Sequence, residues 1–298
     1  MRHLGRRGVL GLITASVLII GGWNVQSAQS QGNTSLWKVS FRTGTVYLLG
    51  SIHLLKEDDY PLDTRMDRAF QDAEVVVFEV EPDSLQAPSL QNYILENAIC
   101  GEGQTLESEL GDSVYSIASA RAESLGVDLD PLGGFKPWFV SIALSLAEMQ
   151  RMGFDPARGV EMYFAGKAKE EGKTVLGLET GKYQIGLFVT LTRDEQRDLL
   201  VHTLDQLADI EVELGKILTA WRQGDLVVLE ETLNRSFDLF PGIRERLVTQ
   251  RNRDWVVQIE EFLRSGKTHI VIVGVAHMPG SEGLIELLKQ KGFKVEQM

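Results

Sequence analysis

Two histidines far apart in the chain share one context. Val46-Tyr47-Leu48-Leu49-Gly50-Ser51-Ile52-His53 and Ile270-Val271-Ile272-Val273-Gly274-Val275-Ala276-His277 both run from aliphatic residues into Gly-x-x-His. An apolar run that stops at glycine reads as a buried strand, with its histidine at the mouth of a sheet, where open α/β folds keep their ligands. Two other such runs end in acids, Val75-Val76-Val77-Phe78-Glu79-Val80-Glu81 and Thr174-Val175-Leu176-Gly177-Leu178-Glu179. If the four strands are neighbours, His53, Glu79, Glu179 and His277 face one crevice. Two imidazoles with one or two carboxylates form the ligand set of a hydrolytic zinc site, or of manganese or cobalt. A divalent metal ion there would acidify a bound water and polarise a carbonyl, with a spare glutamate taking the proton.

Each residue also has a plainer reading. A lone histidine after a strand is ordinarily a hydrogen-bonded loop residue; the duplicated context is what favours a site. Glu79 follows four apolar residues, and a carboxylate buried there needs a partner or a function. Glu81, just before Pro82, reads as solvated, and Glu179 as either a salt-bridging cap or a member of the site. Ser51 is too close to His53 on one strand end to face it as a nucleophile, and reads as a hydrogen-bonding support. His3, His202 and His269 lack a comparable setting. Cys100 is the only cysteine, which excludes an internal disulfide, and it reads as a small apolar residue. The chain has no Gly-x-Ser-x-Gly elbow, no P-loop and no His-Glu-x-x-His.

The elements that must position these residues follow from hydrophobic period and punctuation. Strands are expected at 36–39, 45–49, 75–81, 174–179, 270–276 and 293–296, with a turn at Thr43-Gly44. Helical spacing runs from Leu62 to Ala73, over a region of about 88–171 broken by Gly101-Glu102-Gly103 and Pro131-Leu132-Gly133-Gly134, over about 192–264, and again at 281–291. Strands alternating with helices predict an α/β fold: a central mostly parallel or mixed sheet with flanking helices and a helical insertion. In this scheme Arg251 falls in a charged helical run and, by itself, reads as a surface residue.

Arg2, Arg6 and Arg7 precede an apolar run from Val9 to about Trp23 and then small and polar residues. That order is a secretory signal over residues 1–30, with cleavage after Ala28-Gln29-Ser30 favoured over an anchor at 9–23. The expected location is periplasmic or extracellular, with the membrane reached only through an uncleaved N-terminus. The remaining residues 31–298 read as one α/β domain. The net charge of −12 argues against nucleic acid or anionic lipid as a partner, because both would repel it. A peptide or small-molecule substrate is expected instead.

The ordered set of motifs resembles the TraB/GumN/TIKI family, its bacterial GumN-like branch most. The resemblance rests on both Gly-x-x-His stretches, Val77-Phe78-Glu79-Val80-Glu81-Pro82, Lys136-Pro137-Trp138, Gly177-Leu178-Glu179-Thr180 with Gln184, and Arg251-Asn252 followed by Trp255. It runs from about Leu36 to the C-terminus and extends to erythromycin-esterase-like and ChaN-like α/β proteins. The animal TIKI members are described as metal-dependent peptidases that use two histidines and a glutamate. The resemblance therefore implicates His53, Glu79 and His277 in metal binding and catalysis, with Arg251 as a site arginine. Ser51 stands where threonine is more usual. The expected function is a metal-dependent, peptidase-like hydrolase. A haem-, metal- or ligand-binding protein without turnover and a metal-independent esterase remain as rivals.

Overall fold

A computed structural model describes residues 32–42, 44–237 and 241–298. The leader expected at 1–30, the anchor reading of 9–23 and Thr43 of the expected turn lie outside them. The chain opens with β1 (Leu36–Phe41), β2 (Gly44–Ser51), α1 (Thr64–Asp72) and β3 (Val75–Val80). A helical stretch follows: α2 (Pro82–Leu85), α3 (Pro88–Ala98), α4 (Leu106–Leu110), α5 (Asp112–Ser124), α6 (Pro137–Arg151) and α7 (Val160–Glu171). Then come β4 (Thr174–Glu179), α8 (Gly181–Val189), α9 (Arg193–Leu207), α10 (Ile210–Gln223), α11 (Leu226–Phe237), α12 (Pro241–Arg244) and α13 (Gln250–Arg264). The chain closes with β5 (Thr268–Gly274), α14 (Leu284–Gln290) and β6 (Lys294–Gln297).

The six strands form one mixed sheet in the order β4-β3-β5-β2-β1-β6. The first four in that order, β4, β3, β5 and β2, are parallel; β1 is antiparallel to β2, and β6 to β1. The fold expected from the sequence is therefore present, with all six strands near their expected places. The central strands read as unbroken apolar runs because both of their faces are covered. Tyr47, Leu49, Val76, Phe78, Ile270 and Ile272 pack on one side with α1, α7 and α10. Val46, Leu48, Val75, Val77, Val271 and Val273 pack on the other with α13 and α14. Each fully buried aliphatic side chain contributes about 1.5–3 kcal/mol, so sheet and flanking helices form one stable unit. A separate core of Leu106, Val140, Leu144, Leu200 and Leu204 holds α4, α6 and α9 together as the helical insertion.

The topology does the positioning. β4, β3, β5 and β2 are consecutive neighbours and point the same way, so their C-terminal ends form one rim. Residues alternate faces along a strand, so Glu79 follows Val75 and Val77 onto the side covered by α13. Cys100 is buried and its thiol is pushed up by burial, in keeping with a structural role. Among the described residues, no helix is long and apolar enough to cross a membrane.

Candidate active site

The rim brings together all four of the expected strand-end residues. β2 ends at Ser51, and the chain bends at Ile52-His53 into a segment clamped from outside. Val160 N–H donates to Ile52 C=O at 3.0 Å, and Asp155 N–H to Leu55 C=O at 3.0 Å. Gly159 sits so close that a Cβ there would stand 2.2 Å from the His53 carbonyl oxygen. That close approach carries Glu161, in the first turn of α7, up to the imidazole. Its Oε1 lies 2.7 Å from His53 Nδ1 and also accepts from Ser51 Oγ. Ser51 is thus a support for Glu161, as its sequence position suggested.

With Nδ1–H donated to Glu161, His53 directs Nε2 at the rim. A Cβ placed on Gly274 would lie 3.3 Å from that Nε2 and 3.2 Å from Glu79 Oε1, so ring and carboxylate flank the same glycine. The ring is exposed on its outer side, and the charge on Glu161 outweighs its partial desolvation and raises the His53 pKa to about 9. Glu161 is half-buried, and His53 with Ser51 holds its carboxyl below the usual range against the accompanying desolvation. Nothing in the sequence alone assigns Glu161 a role. Gly159-Val160-Glu161, a glycine and then an acid, marks the start of a helix and not a contact with His53.

His277 is set in a complementary way. It ends a single 3₁₀ turn after β5 and is 4% exposed. Its Nδ1 lies 2.6 Å from Asn252 Oδ1, while Asn252 Nδ2 donates to Glu282 C=O at 2.8 Å. That second bond fixes the amide orientation, so Nδ1 carries the proton and Nε2 keeps the lone pair. The ring lies against Trp255, with centroids 4.4 Å apart. Burial first, then the Arg251 and His53 charges, lower its pKa to about 3 despite the opposing pull of Glu79. At neutral pH one histidine is charged and the other is not.

Arg251 ties the rim together, and the surface placement its sequence context suggested is wrong: it is 7% exposed. Its Nη2 donates to Glu79 Oε2 at 2.5 Å and to Glu179 Oε1 at 2.6 Å; its Nη1 donates to Leu247 C=O at 2.7 Å and lies 3.2 Å from His277 Nε2. A π-helical turn at Glu245–Thr249, just before α13, precedes it; turns of this kind recur at functional sites. The charge run that suggested exposure belongs to the outer face of α13, where Arg253 pairs with Glu245 and Glu282. Trp255 Nε1–H donates to Glu179 Oε2 at 3.1 Å, which completes that carboxylate's contacts.

Glu79 accepts from Arg251, from Gln184 Nε2 at 2.7 Å and from Gly274 N–H at 2.7 Å. Burial would raise its pKa. The charges of His277, Arg251 and His53 and the Gly274 N–H outweigh burial and take it down to about 2, a pH at which His277 is already protonated. Glu79 is 8% exposed, whereas Glu81 points to solvent as expected. His269 is remote from the rim, buried against Phe262.

The resemblance to metal-dependent relatives requires the donors to be tested for an ion. Both rings are anchored through Nδ1 and offer Nε2 to Glu79, which suits metal ligands. The arrangement nonetheless does not fit one as it stands. Arg251 already donates to Glu79 Oε2 and reaches the His277 lone pair, and among the described residues no three His, Cys, Asp or Glu side chains stand grouped to hold an ion.

The TraB/PrgY/gumN family matches residues 35–297, which is nearly all of the described chain. The chain belongs to the TraB/PrgY/gumN family. Relatives include the uncharacterized protein YbaP of Escherichia coli (strain K12), 22% identical over 243 residues covering 82% of this chain and 87% of that protein. An uncharacterized protein of Treponema pallidum (strain Nichols) is 23% identical over 274 residues, covering 86% and 80%. No solved structure matches the chain. Of the residues that carry the family resemblance in this TraB/PrgY/gumN chain, His53, Glu79, Gln184, Arg251, Asn252, Trp255 and His277 meet at one rim.

Proposed function

We propose that this chain is a hydrolase of carbonyl compounds, peptides first, acting at the rim of β4, β3, β5 and β2. The observation that carries the reading is the pair of imidazoles: each is anchored through Nδ1, each turns Nε2 toward Glu79, and their pKa values are pushed in opposite directions. Environments that split two titratable groups assign acid and base. Protonated His53 supplies the acid, donating from Nε2 to the developing oxyanion or the leaving group. Neutral His277 supplies the base for water.

Arg251 links the two roles. Its Nη1 contact with His277 is long for a charge-assisted bond, while its bonds to Glu79 and Glu179 are short. In this mechanism a substrate carbonyl draws Nη1 away from His277. The guanidinium then stabilises the oxyanion, and the freed lone pair becomes more basic as the cation leaves it. Glu79, held ionised by three donors, fixes Arg251 and faces the charge of His53. Glu179 and Trp255 hold the guanidinium from the other side.

Metal dependence is the alternative that the family resemblance supports, with His53, His277 and Glu79 as ligands; Arg251 stands against it in the present arrangement. The leader-like residues 1–30 support an exported enzyme, periplasmic or extracellular. One experiment tests reaction and metal together: hydrolysis of a peptide and p-nitrophenyl ester panel by chelator-treated and by manganese-, cobalt- or zinc-supplemented protein, with metal content measured. Turnover by the chelated protein that drops roughly 100- to 10,000-fold in His53→Ala and His277→Ala supports the proposal. Turnover only with a stoichiometric metal assigns the rim to metal hydrolysis, and no turnover in any condition ends the hydrolase reading.

A further inference from the structure

The two outer edges of the sheet are treated differently. β6 carries Lys294 paired with Glu296 at 2.8 Å, with Lys291 close by in sequence, which is how natural sheets blunt an edge against further pairing. β4 lies at the other edge, paired within the sheet only with β3, and its residues Thr174-Val175-Leu176-Gly177-Leu178 carry no charge and no proline; near its end the Leu178 carbonyl already accepts from Gln258 Nε2 at 3.1 Å. Thr174, Leu176 and Gly177 are exposed, Leu176 at 40%. A strand alternates its backbone groups between neighbours, so every second residue of β4 turns its N–H and C=O outward.

That unblunted edge leads into the candidate site. Its last residue is Glu179, whose carboxylate holds Arg251. Beside it opens a groove of about 470 Å³ lined by Gly177, Glu179, Gly181, Glu81, Leu90 and Tyr93. Gly177 lies against the end of β3: a Cβ there would stand 2.9 Å from Glu81 N, so the position is confined to backbone.

We propose that the free edge of β4 docks an extended peptide substrate, which adds to the sheet as a seventh strand and delivers its next peptide bond to the Glu79–Arg251 rim. Main-chain hydrogen bonds to an edge give affinity with little side-chain demand, and alternate ligand side chains face the groove. The occupant is an extended, largely uncharged peptide because the edge offers backbone groups and Leu176 and few charges. The destination of the peptide rests on the hydrolase reading; its docking does not.

The probe is a fluorescein-labelled decapeptide of alternating threonine and valine, capped by lysine at both ends, with two versions N-methylated on either the odd or the even amides. Anisotropy with the full chain should show binding of the unmodified peptide. One methylated series should weaken by roughly tenfold and the other stay unchanged, because only one face of an added strand bonds to the edge. Leu176→Lys should weaken the unmodified peptide similarly and leave hydrolysis of p-nitrophenyl acetate, which has no flanking chain, as it was. Absence of binding, or equal effects of both methylations, overturns the proposal. So does a wild-type dimer that Leu176→Lys dissociates, since a second copy would then occupy the edge. Register-specific binding with no hydrolysis of any ester or peptide leaves the docking standing and removes the hydrolase; ester hydrolysis without register-specific binding does the reverse.

Discussion

At Arg251 one guanidinium answers two buried carboxylates and reaches an imidazole, so its removal strands charge on both sides. Deleting one partner of a buried ion pair costs about 3–5 kcal/mol, more than the pair itself contributes against apolar replacements. Arg251→Met should therefore lower stability by about that amount in urea unfolding, whereas Arg253→Met on the exposed face of the same helix should change it by less than about 1 kcal/mol. Equal effects would mean that the rim network is not formed. Glu161 makes a second residue-scale case. Glu161→Gln keeps a hydrogen-bond acceptor beside His53 Nδ1 but removes the charge that raises the ring's pKa. The His53 pKa should then fall from about 9 toward its ordinary 6.5, read by NMR titration of the imidazole; an unshifted titration would remove Glu161 from the account.

At the scale of elements, the site depends on backbone approaches that side chains would block. A methyl group on Gly159 would fall 2.2 Å from the His53 carbonyl oxygen, between the clamp at 155–160 and the bend after β2. Gly159→Ala should cost about 1–3 kcal/mol and lower turnover through displacement of His53. Gly134→Ala, where nothing lies within 4 Å, serves as the control in both measurements. The strands and their order of contact were legible because unbroken apolar runs ending in His or Glu say both "buried strand" and "strand end". His53, Glu79, Glu179 and His277 were therefore found together. Glu161 and the depth of Arg251 were not legible, for one reason: each sits on a helix whose sequence reports its solvent face. The contacts that bury them come from strands remote in the chain, and helical period carries no trace of those. Asn252, beside Arg251, was visible only as part of a family motif; its hydrogen bond to His277 needed the fold.

At the scale of the molecule, the rim sets how stability responds to pH. Folded Glu79 binds its proton only near pH 2 against an ordinary 4.5, and folded His277 near 3 against 6.5. For both groups the unfolded chain takes up protons first on acidification, so stability is lost as pH falls from about 6.5 through these values. His53 acts in the opposite sense: its contribution is complete below 6.5 and fades as pH rises through about 9. The urea midpoint should be highest near pH 6.5 and decline on both sides, and His53→Gln should remove part of the alkaline decline only. A flat profile from pH 4 to 9 would contradict these assignments. The acid and base roles of the two imidazoles are tested most directly by kcat/KM against pH on the best substrate of the panel, in wild type and Glu161→Gln. The account predicts an alkaline limb near pH 9 that moves toward 6.5 in the variant, with no limb at 6.5 in wild type. A wild-type limb at 6.5, or a limb that Glu161→Gln leaves in place, would contradict it.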